Sequence, residues 1–181
     1  MSNLKFKVQP GGQLNGTIRV PGDKSISHRS IMLGSLAEGT TEVSGFLQGE
    51  DSLATLNAFR QMGVQIEGPS DEGRVTVHGV GMDGLQPSDQ ALDLGNSGTS
   101  MRLLSGLLSG QAFDVTLEGD ESLSGRPMRR VTDPLAEMGA IIETEADGTA
   151  PLKIRGGAPL KGFHYEMPMA SARVKSCLLL A

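Results

Sequence analysis

Four short stretches gather cations, hydroxyls and glycines at spacings that suit the binding of anions. The first is Pro21–Arg29, PGDKSISHR, where Lys24, Ser25, Ser27 and Arg29 follow a Pro-Gly turn. A helix starting here presents unpaired backbone N–H groups and the positive end of its dipole, with Asp23 or Ser25 as cap. The second is Leu94–Arg102, LGNSGTSMR, in which Gly95 and Gly98 let the backbone form an N–H nest. Ser97 or Thr99 can cap the helix that follows, and Arg102 lies one turn in. The third is LSGRPM at 123–128, where Arg126 stands before Pro127, a favourable first helical residue. That placement directs a guanidinium at a helix start, where it can clamp a carboxylate or phosphate. The fourth is SARVKSCLLLA at 171–181. Taken singly, each has an ordinary reading as well: a capped surface helix, a strand-to-helix turn or a solvent-facing arginine.

Periodicity predicts the elements that position these residues. Residues 4–9 (LKFKVQ) alternate as a short strand, and Thr17–Val20 as a second. A helix from Ser25 to about Leu36 carries an apolar stripe of Ile31, Met32 and Leu36. Thr41–Phe46 reads as a strand, and Glu50 to Met62 as a helix with Leu53, Leu56, Phe59 and Met62 on one face. Gly63 ends it, and strands at Val64–Glu67 and Arg74–His78 complete a βαβαββ unit over 17–80. Residues 91–156 repeat the pattern. A strand at Ala91–Leu94 precedes a helix from Thr99 to about Leu108, then come a strand at Phe113–Leu117, a helix from Pro127 to Met138, and strands at Ala140–Glu143 and Leu152–Arg155. FRQMGVQIE at 59–67 matches LAEMGAIIE at 135–143, and VTVHG at 75–79 matches LKIRG at 152–156, so one supersecondary unit is used repeatedly. A third copy begins over 164–181 and stops. Arg29, Arg102 and Lys175 recur at equal spacing, which predicts three equivalent helix starts converging on one anion-binding surface. The uncapped apolar run Leu178–Ala181 reads as the interruption of a longer protein, truncated or split.

Composition narrows the classes. With 181 residues, 38% hydrophobic and 20% charged, the chain has the make-up of a soluble globular protein with a real core. A net charge of −5 and 3% aromatics, with no Trp, argue against a nucleic-acid footprint or base-stacking platform. No apolar run approaches a membrane span and the N-terminus lacks a signal-peptide core. Cys177 is alone, so no disulfide framework exists, the cytoplasm is the expected compartment, and the thiol reads as a core residue. Three dispersed histidines give no metal spacing. The 25 glycines fall between periodic segments and predict many tight turns.

The motifs PGDKSISHR at 21–29, LGNSGTSMR at 94–102, SGRPM at 124–128 and ASARVKS at 170–176 resemble those of the 5-enolpyruvylshikimate-3-phosphate synthase family, in order and spacing along the whole chain. The resemblance implies transfer of the enolpyruvyl group of phosphoenolpyruvate to the 5-hydroxyl of shikimate 3-phosphate, with release of phosphate and no metal or organic cofactor. It makes Lys24 the candidate catalytic residue, in contact with both substrates. Ser25, Arg29, Ser171, Ala172 and Arg173 join it on shikimate 3-phosphate; Asn96, Gly98 and Arg126 join it on phosphoenolpyruvate. Arg173 departs from the family's usual glutamine, and Leu103 stands where many members have proline. Gly98 keeps the small residue associated in the family with binding the herbicide glyphosate.

The implied fold is mixed α/β, an inside-out α/β barrel of the enolpyruvyl transferase type. Each of two similar domains holds three βαβαββ units with helices inside and sheets outside. Residues 1–14 would then be strands of the second domain, and 15–181 an incomplete first domain that stops in its third unit. In the family the acid–base carboxylates come from the second half of the polypeptide. The expectation is therefore weak substrate binding without turnover until a complementary C-terminal fragment is present, and neither nucleic acid nor membrane as partner. Asp51 and Glu121 are expected to be caps or solvated charges. Two rivals stand beside this reading. The UDP-N-acetylglucosamine enolpyruvyl transferases resemble it in fold but carry a reactive cysteine where Gly119–Gly125 has none, and lack the Lys-Ser-x-Ser-x-Arg pattern seen here. The other is a non-catalytic anion-binding half of a split protein.

Overall fold

A computed structural model of the chain describes residues 5–181. Three helices in it begin in the same way. Asp23, Ser97 and Ser171 each place a side-chain oxygen on the backbone N–H three residues on, at Ile26, Ser100 and Val174. These caps satisfy donors that a helix start otherwise leaves open. They open α1 (Lys24–Leu36), α3 (Gly98–Ser109) and α6 (Ala172–Leu180).

After α1 come β1 (Glu38–Val43), α2 (Glu50–Gln61), β2 (Gln65–Glu67) and β3 (Val75–Val80). β4 (Leu92–Asp93) precedes α3, and β5 (Val115–Glu118), α4 (Glu121–Ser124), α5 (Arg129–Met138), β6 (Ile141–Glu143) and β7 (Leu152–Arg155) follow it. The repeat extends to individual hydrogen bonds. Gly63 (φ 87°) and Gly139 (φ 105°) end α2 and α5 in the left-handed region that glycine adopts without strain. Beyond them, Val64 N–H donates to Phe59 O at 3.0 Å and Ala140 N–H to Leu135 O at 2.9 Å.

The sheets run β1-β3-β2 and β4-β5-β7-β6, with only β4 and β5 parallel. β3 and β7, the matched VTVHG and LKIRG segments, lie between antiparallel neighbours. Helices occupy the inside: α3 is buried at every residue from Ser100 to Ser109 except Arg102. The outer strands alternate or stand exposed. The core gathers Ile31, Met32, Leu56 and Phe59 with Leu103, Leu104, Leu107, Leu117 and Leu152, all within 1% of complete burial.

Several expected elements differ. Leu4 lies outside the described residues, and 5–9 form no strand. Thr17–Val20 is also without strand pairing, and its Ile18 and Val20 are 85% and 71% exposed. Alternation supplies a face but no ladder, and a strand exists only where another edge receives its hydrogen bonds. The equivalent β4 has that partner in β5, whereas β1 pairs with β3 alone among the described residues. The helix expected from Pro127 to Met138 is present as α5 over Arg129–Met138, and a short helix the periodicity did not predict, α4, precedes it. Asp120 caps α4 through Leu123 N–H (2.7 Å), and Met128 N–H is held by Gly148 O (2.8 Å), so α5 starts only at Arg129. The first strand runs from Glu38 to Val43 rather than over 41–46, because Ala37 closes α1 and pairing with β3 begins at once.

Candidate functional site

The start of α3 is the most closely organised part of the site. Both carboxylate oxygens of Asp120 accept from the Asn96 amide nitrogen, at 2.8 and 3.1 Å, and the Asp120 N–H donates to Gly95 O at 2.9 Å. The Asn96 and Leu123 bonds hold the Asp120 carboxyl below the usual carboxylate range. With its amide nitrogen so fixed, Asn96 turns Oδ1 to Arg126, which donates through Nη2 at 2.5 Å and also reaches Ser122 Oγ at 3.1 Å. Arg126 thus folds back onto Asn96 rather than leading a helix from Pro127. Arg102 donates to Gly98 O at 3.0 Å and to Pro127 O at 3.3 Å. A Cβ on Gly98 would sit 2.7 Å from Arg102 Nη1 and 3.3 Å from Arg126 Nη1, so glycine here lets two guanidinium groups close over the backbone.

Burial, then the charges of Arg173, Arg126 and Arg130, push Arg102 below the usual guanidinium value. Cations from the 125–128 segment, α5 and α6 therefore all act on Arg102 of α3. Such a set is repulsive until an anion enters it. Arg130 and Ser171 also line a groove of about 490 Å³ between α5 and the segment entering α6. A larger hollow, about 650 Å³, lies at Arg19–Gly22, Ser44–Gln48 and Asp71–Arg74 and contains none of the residues expected to bind substrate.

At the start of α1, Lys24 pairs with Asp51 of α2. Asp51 was expected as a cap or a solvated charge; it is instead the partner of the candidate catalytic lysine, and its side chain is mostly covered. Glu121 stays exposed in the first turn of α4. Ser25 is exposed, while Ser27 is buried and spends its hydroxyl on the scaffold, donating to Asp23 O and accepting from Leu47 N–H. Arg29 is half-buried and reaches across to α6, donating to Ser176 Oγ at 2.7 Å as well as to Ser25 O at 3.3 Å. Ser171 caps α6, and Ala172 and Arg173 lie exposed in its first turn.

The equal spacing of Arg29, Arg102 and Lys175 is not a structural equivalence. Measured from the caps, Arg29 lies six residues past Asp23, Arg102 five past Ser97 and Lys175 four past Ser171. The helix starts recur; the cations shift by one position each time.

A buried polar chain joins two of these starts, those of α1 and α3, by way of α2. His28 Nδ1 meets Thr55 Oγ1 at 2.7 Å, Thr55 Oγ1 meets Ser100 Oγ at 2.6 Å, and Ser100 Oγ meets Ser97 Oγ at 2.6 Å. Burial, then the Lys24 charge, lowers the His28 pKa to about 4 in spite of Asp51, so the ring is neutral at neutral pH. The sequence reading placed Arg102 on the anion-binding surface but missed Asp120, Thr55 and Ser100 as site-building residues; of these only Ser100 had a signal, its place in the LGNSGTSMR motif.

Among the described residues, no three His, Cys, Asp or Glu side chains come together as a metal-binding group, and no helix is long and apolar enough to cross a membrane. Comparison with known proteins bears on the chain as a whole. The family model described as EPSP synthase (3-phosphoshikimate 1-carboxyvinyltransferase) matches residues 8–181. A 3-phosphoshikimate 1-carboxyvinyltransferase of Methylococcus capsulatus is 72% identical over 179 residues, which is 99% of this chain and 41% of that protein. One from Hydrogenovibrio crunogenus is 65% identical over 180 residues, covering 99% and 40%. The chain thus spans about two fifths of the length of the curated relatives it matches. EPSP synthase from Acinetobacter baumannii superposes with a TM-score of 0.88 at 63% identity, over 91% of this chain and 37% of that one. The enolpyruvyl transferase NikO from Streptomyces tendae shares the fold alone, with a TM-score of 0.52 at 16% identity over 86% of this chain and 35% of that one. The repeated units, the inward helices and the match along nearly the whole sequence agree: this chain belongs to the EPSP synthase (3-phosphoshikimate 1-carboxyvinyltransferase) family.

Proposed function

We propose that the chain forms the substrate-gripping side of a 3-phosphoshikimate 1-carboxyvinyltransferase, which transfers the enolpyruvyl group of phosphoenolpyruvate to the 5-hydroxyl of shikimate 3-phosphate and releases phosphate. The cations gathered at the start of α3 carry this reading: Arg102 and Arg126 close over the Gly98 backbone, and the charges of Arg173, Arg126 and Arg130 all act on Arg102, which suits a polyanion. Asn96, Gly98 and Arg126, with Lys24, take phosphoenolpyruvate. Lys24, Ser25, Arg29, Ser171, Ala172 and Arg173 take shikimate 3-phosphate. Arg173 donates where the family's glutamine both donates and accepts, so it favours the phosphate over neutral hydroxyls. Lys24 sits where both substrates meet, its ammonium aligned by Asp51 until an anion competes for it.

In the same reading, residues 1–14 join the second domain and 15–181 belong to the first. The acid–base groups come from the complementary part, and the setting is cytoplasmic. The exposure of Phe6, Val8 and Leu14, at 96%, 89% and 101%, supports a covering partner for the first of these segments. Calorimetric titration of the chain with shikimate 3-phosphate, then phosphoenolpyruvate, tests the assignment. Binding is expected to be weak alone, and both binding and phosphate release are expected on mixing with the C-terminal part of a relative. No heat with either substrate, and no release after mixing, would reject it.

A further inference from the structure

The polar chain His28–Thr55–Ser100–Ser97 lies wholly inside the helix layer, each residue fully buried. An interior between three helices is usually filled by apolar side chains, and buried polar groups persist there only when hydrogen-bonded. Here they are bonded in line, from α1 through α2 to the cap of α3. Each hydroxyl has one proton to give. If Nδ1 of His28 accepts, Thr55 donates to it, Ser100 to Thr55 and Ser97 to Ser100. Every hydroxyl proton is then placed, and Ser97 Oγ keeps a lone pair for the Ser100 N–H at 3.2 Å. If Nδ1 donates, Thr55 turns its proton to Asp51 O at 3.4 Å and the two serine links keep their direction. His28 Nε2 has no partner among the described residues in either case. In both arrangements the ring is neutral and the Thr55 hydroxyl is the one bond that orients it.

Resting on the functional reading above, we infer that His28 and Thr55 are positioning residues that set the Asn96–Gly98 turn of the phosphoenolpyruvate side relative to Lys24 and Ser25 of the shikimate 3-phosphate side, though neither touches a ligand. Ser97 is the end of the chain and the cap that fixes where Gly98 begins α3; Gly98 O in turn holds Arg102. Removing the Thr55 hydroxyl cuts the link between the two half-sites while leaving the side chain's volume in place.

The test compares Thr55→Val, which keeps the shape, with Thr55→Ser, which keeps the hydroxyl, in the 181-residue chain. Nitrogen-15 spectra of the wild type are expected to show a neutral His28 ring held in one tautomer. Thr55→Val is expected to shift the His28 ring and the Asn96–Gly98 amides, and to speed hydrogen exchange at the Ser100 amide roughly 10-fold. It is also expected to weaken phosphoenolpyruvate binding more than shikimate 3-phosphate binding. Thr55→Ser restores all of these. A packing role alone would lower the melting temperature of Thr55→Ser, which loses a methyl group, and leave the His28 ring and the Gly98 amide of Thr55→Val unshifted. That outcome, a wild-type ring that exchanges between tautomers, or failure of Thr55→Ser to restore the spectra would overturn the inference. The ring and amide readings need no ligand, so absence of phosphoenolpyruvate binding by the wild type counts against the functional reading and not against the chain.

Discussion

Gly98 is the position where one methyl group acts on two guanidinium groups. A Cβ there displaces Arg102 Nη1 and crowds Arg126 Nη1, both the far ends of flexible side chains. Gly98→Ala is therefore expected to leave the melting temperature within a few degrees of wild type. Phosphoenolpyruvate and glyphosate binding should weaken about 10-fold, equivalent to about 1.4 kcal/mol; an unchanged dissociation constant for both ligands would count against a role for this backbone in binding. His28 gives a second expectation at this scale. Its folded pKa, about 4, lies below the ordinary 6.5, so between these values the unfolded chain takes up a proton that the folded one refuses. Its contribution is complete above about pH 6.5 and is lost as pH falls through the folded value, a loss of about 3 kcal/mol in all. Urea unfolding from pH 7 to 4 should show that decline, and His28→Gln should flatten it; equal slopes for the two proteins would remove His28 as the cause. At this scale the sequence was partly legible. Candidate caps at Asp23 and Ser97 follow from residue type and position. The pairing of Asp51 with Lys24 does not, because it depends on how α1 packs on α2, and neither segment's periodicity records that.

Among elements, the crossing of α3 and α6 is the tightest. A Cβ on Gly106 would lie 1.9 Å from the Cys177 carbonyl oxygen and 3.0 Å from its Sγ, so the helices meet backbone to backbone. Gly106→Ala forces them apart and is expected to lower stability by about 1–3 kcal/mol in urea; a neutral effect would mean that α6 docks elsewhere in solution. Burial also pushes the Cys177 thiol up to about 12, so the native protein should resist alkylation at pH 8 and react only on unfolding. Quantitative labelling of the folded chain would contradict this packing. Element types and order were legible wherever a helix had an apolar face and a glycine stop, as at Gly63 and Gly139. They were not at Thr17–Val20, where the pattern was right and the partner edge was missing; at Pro127 only the start was misread, where Met128 N–H is held by Gly148 O from a distant turn and the helix opens at Arg129.

For the molecule as a whole, residues 5–20 run exposed outside the two sheets, and Lys5, Lys7 and Arg19 are accessible. Brief trypsin treatment should cut at these three positions first and leave a core beginning at Val20; mass spectrometry showing earlier cuts inside α3 or β7 would contradict the arrangement. The repeat made the architecture of both units visible in the sequence, since matched segments such as 59–67 and 135–143 turned out to share hydrogen bonds as well as letters. The site was less visible because it is assembled between units. The one-residue slippage of the cations against their caps has a consequence of its own. A residue step turns a side chain by about 100° around its helix. Three copies of one backbone therefore aim their charges along three different bearings, and a near-symmetric frame loses its repetition at its surface. A ligand that is the same at both ends gains nothing from such a surface, whereas one with unlike ends, on a chiral ring, has a single orientation in which its groups and the charges coincide.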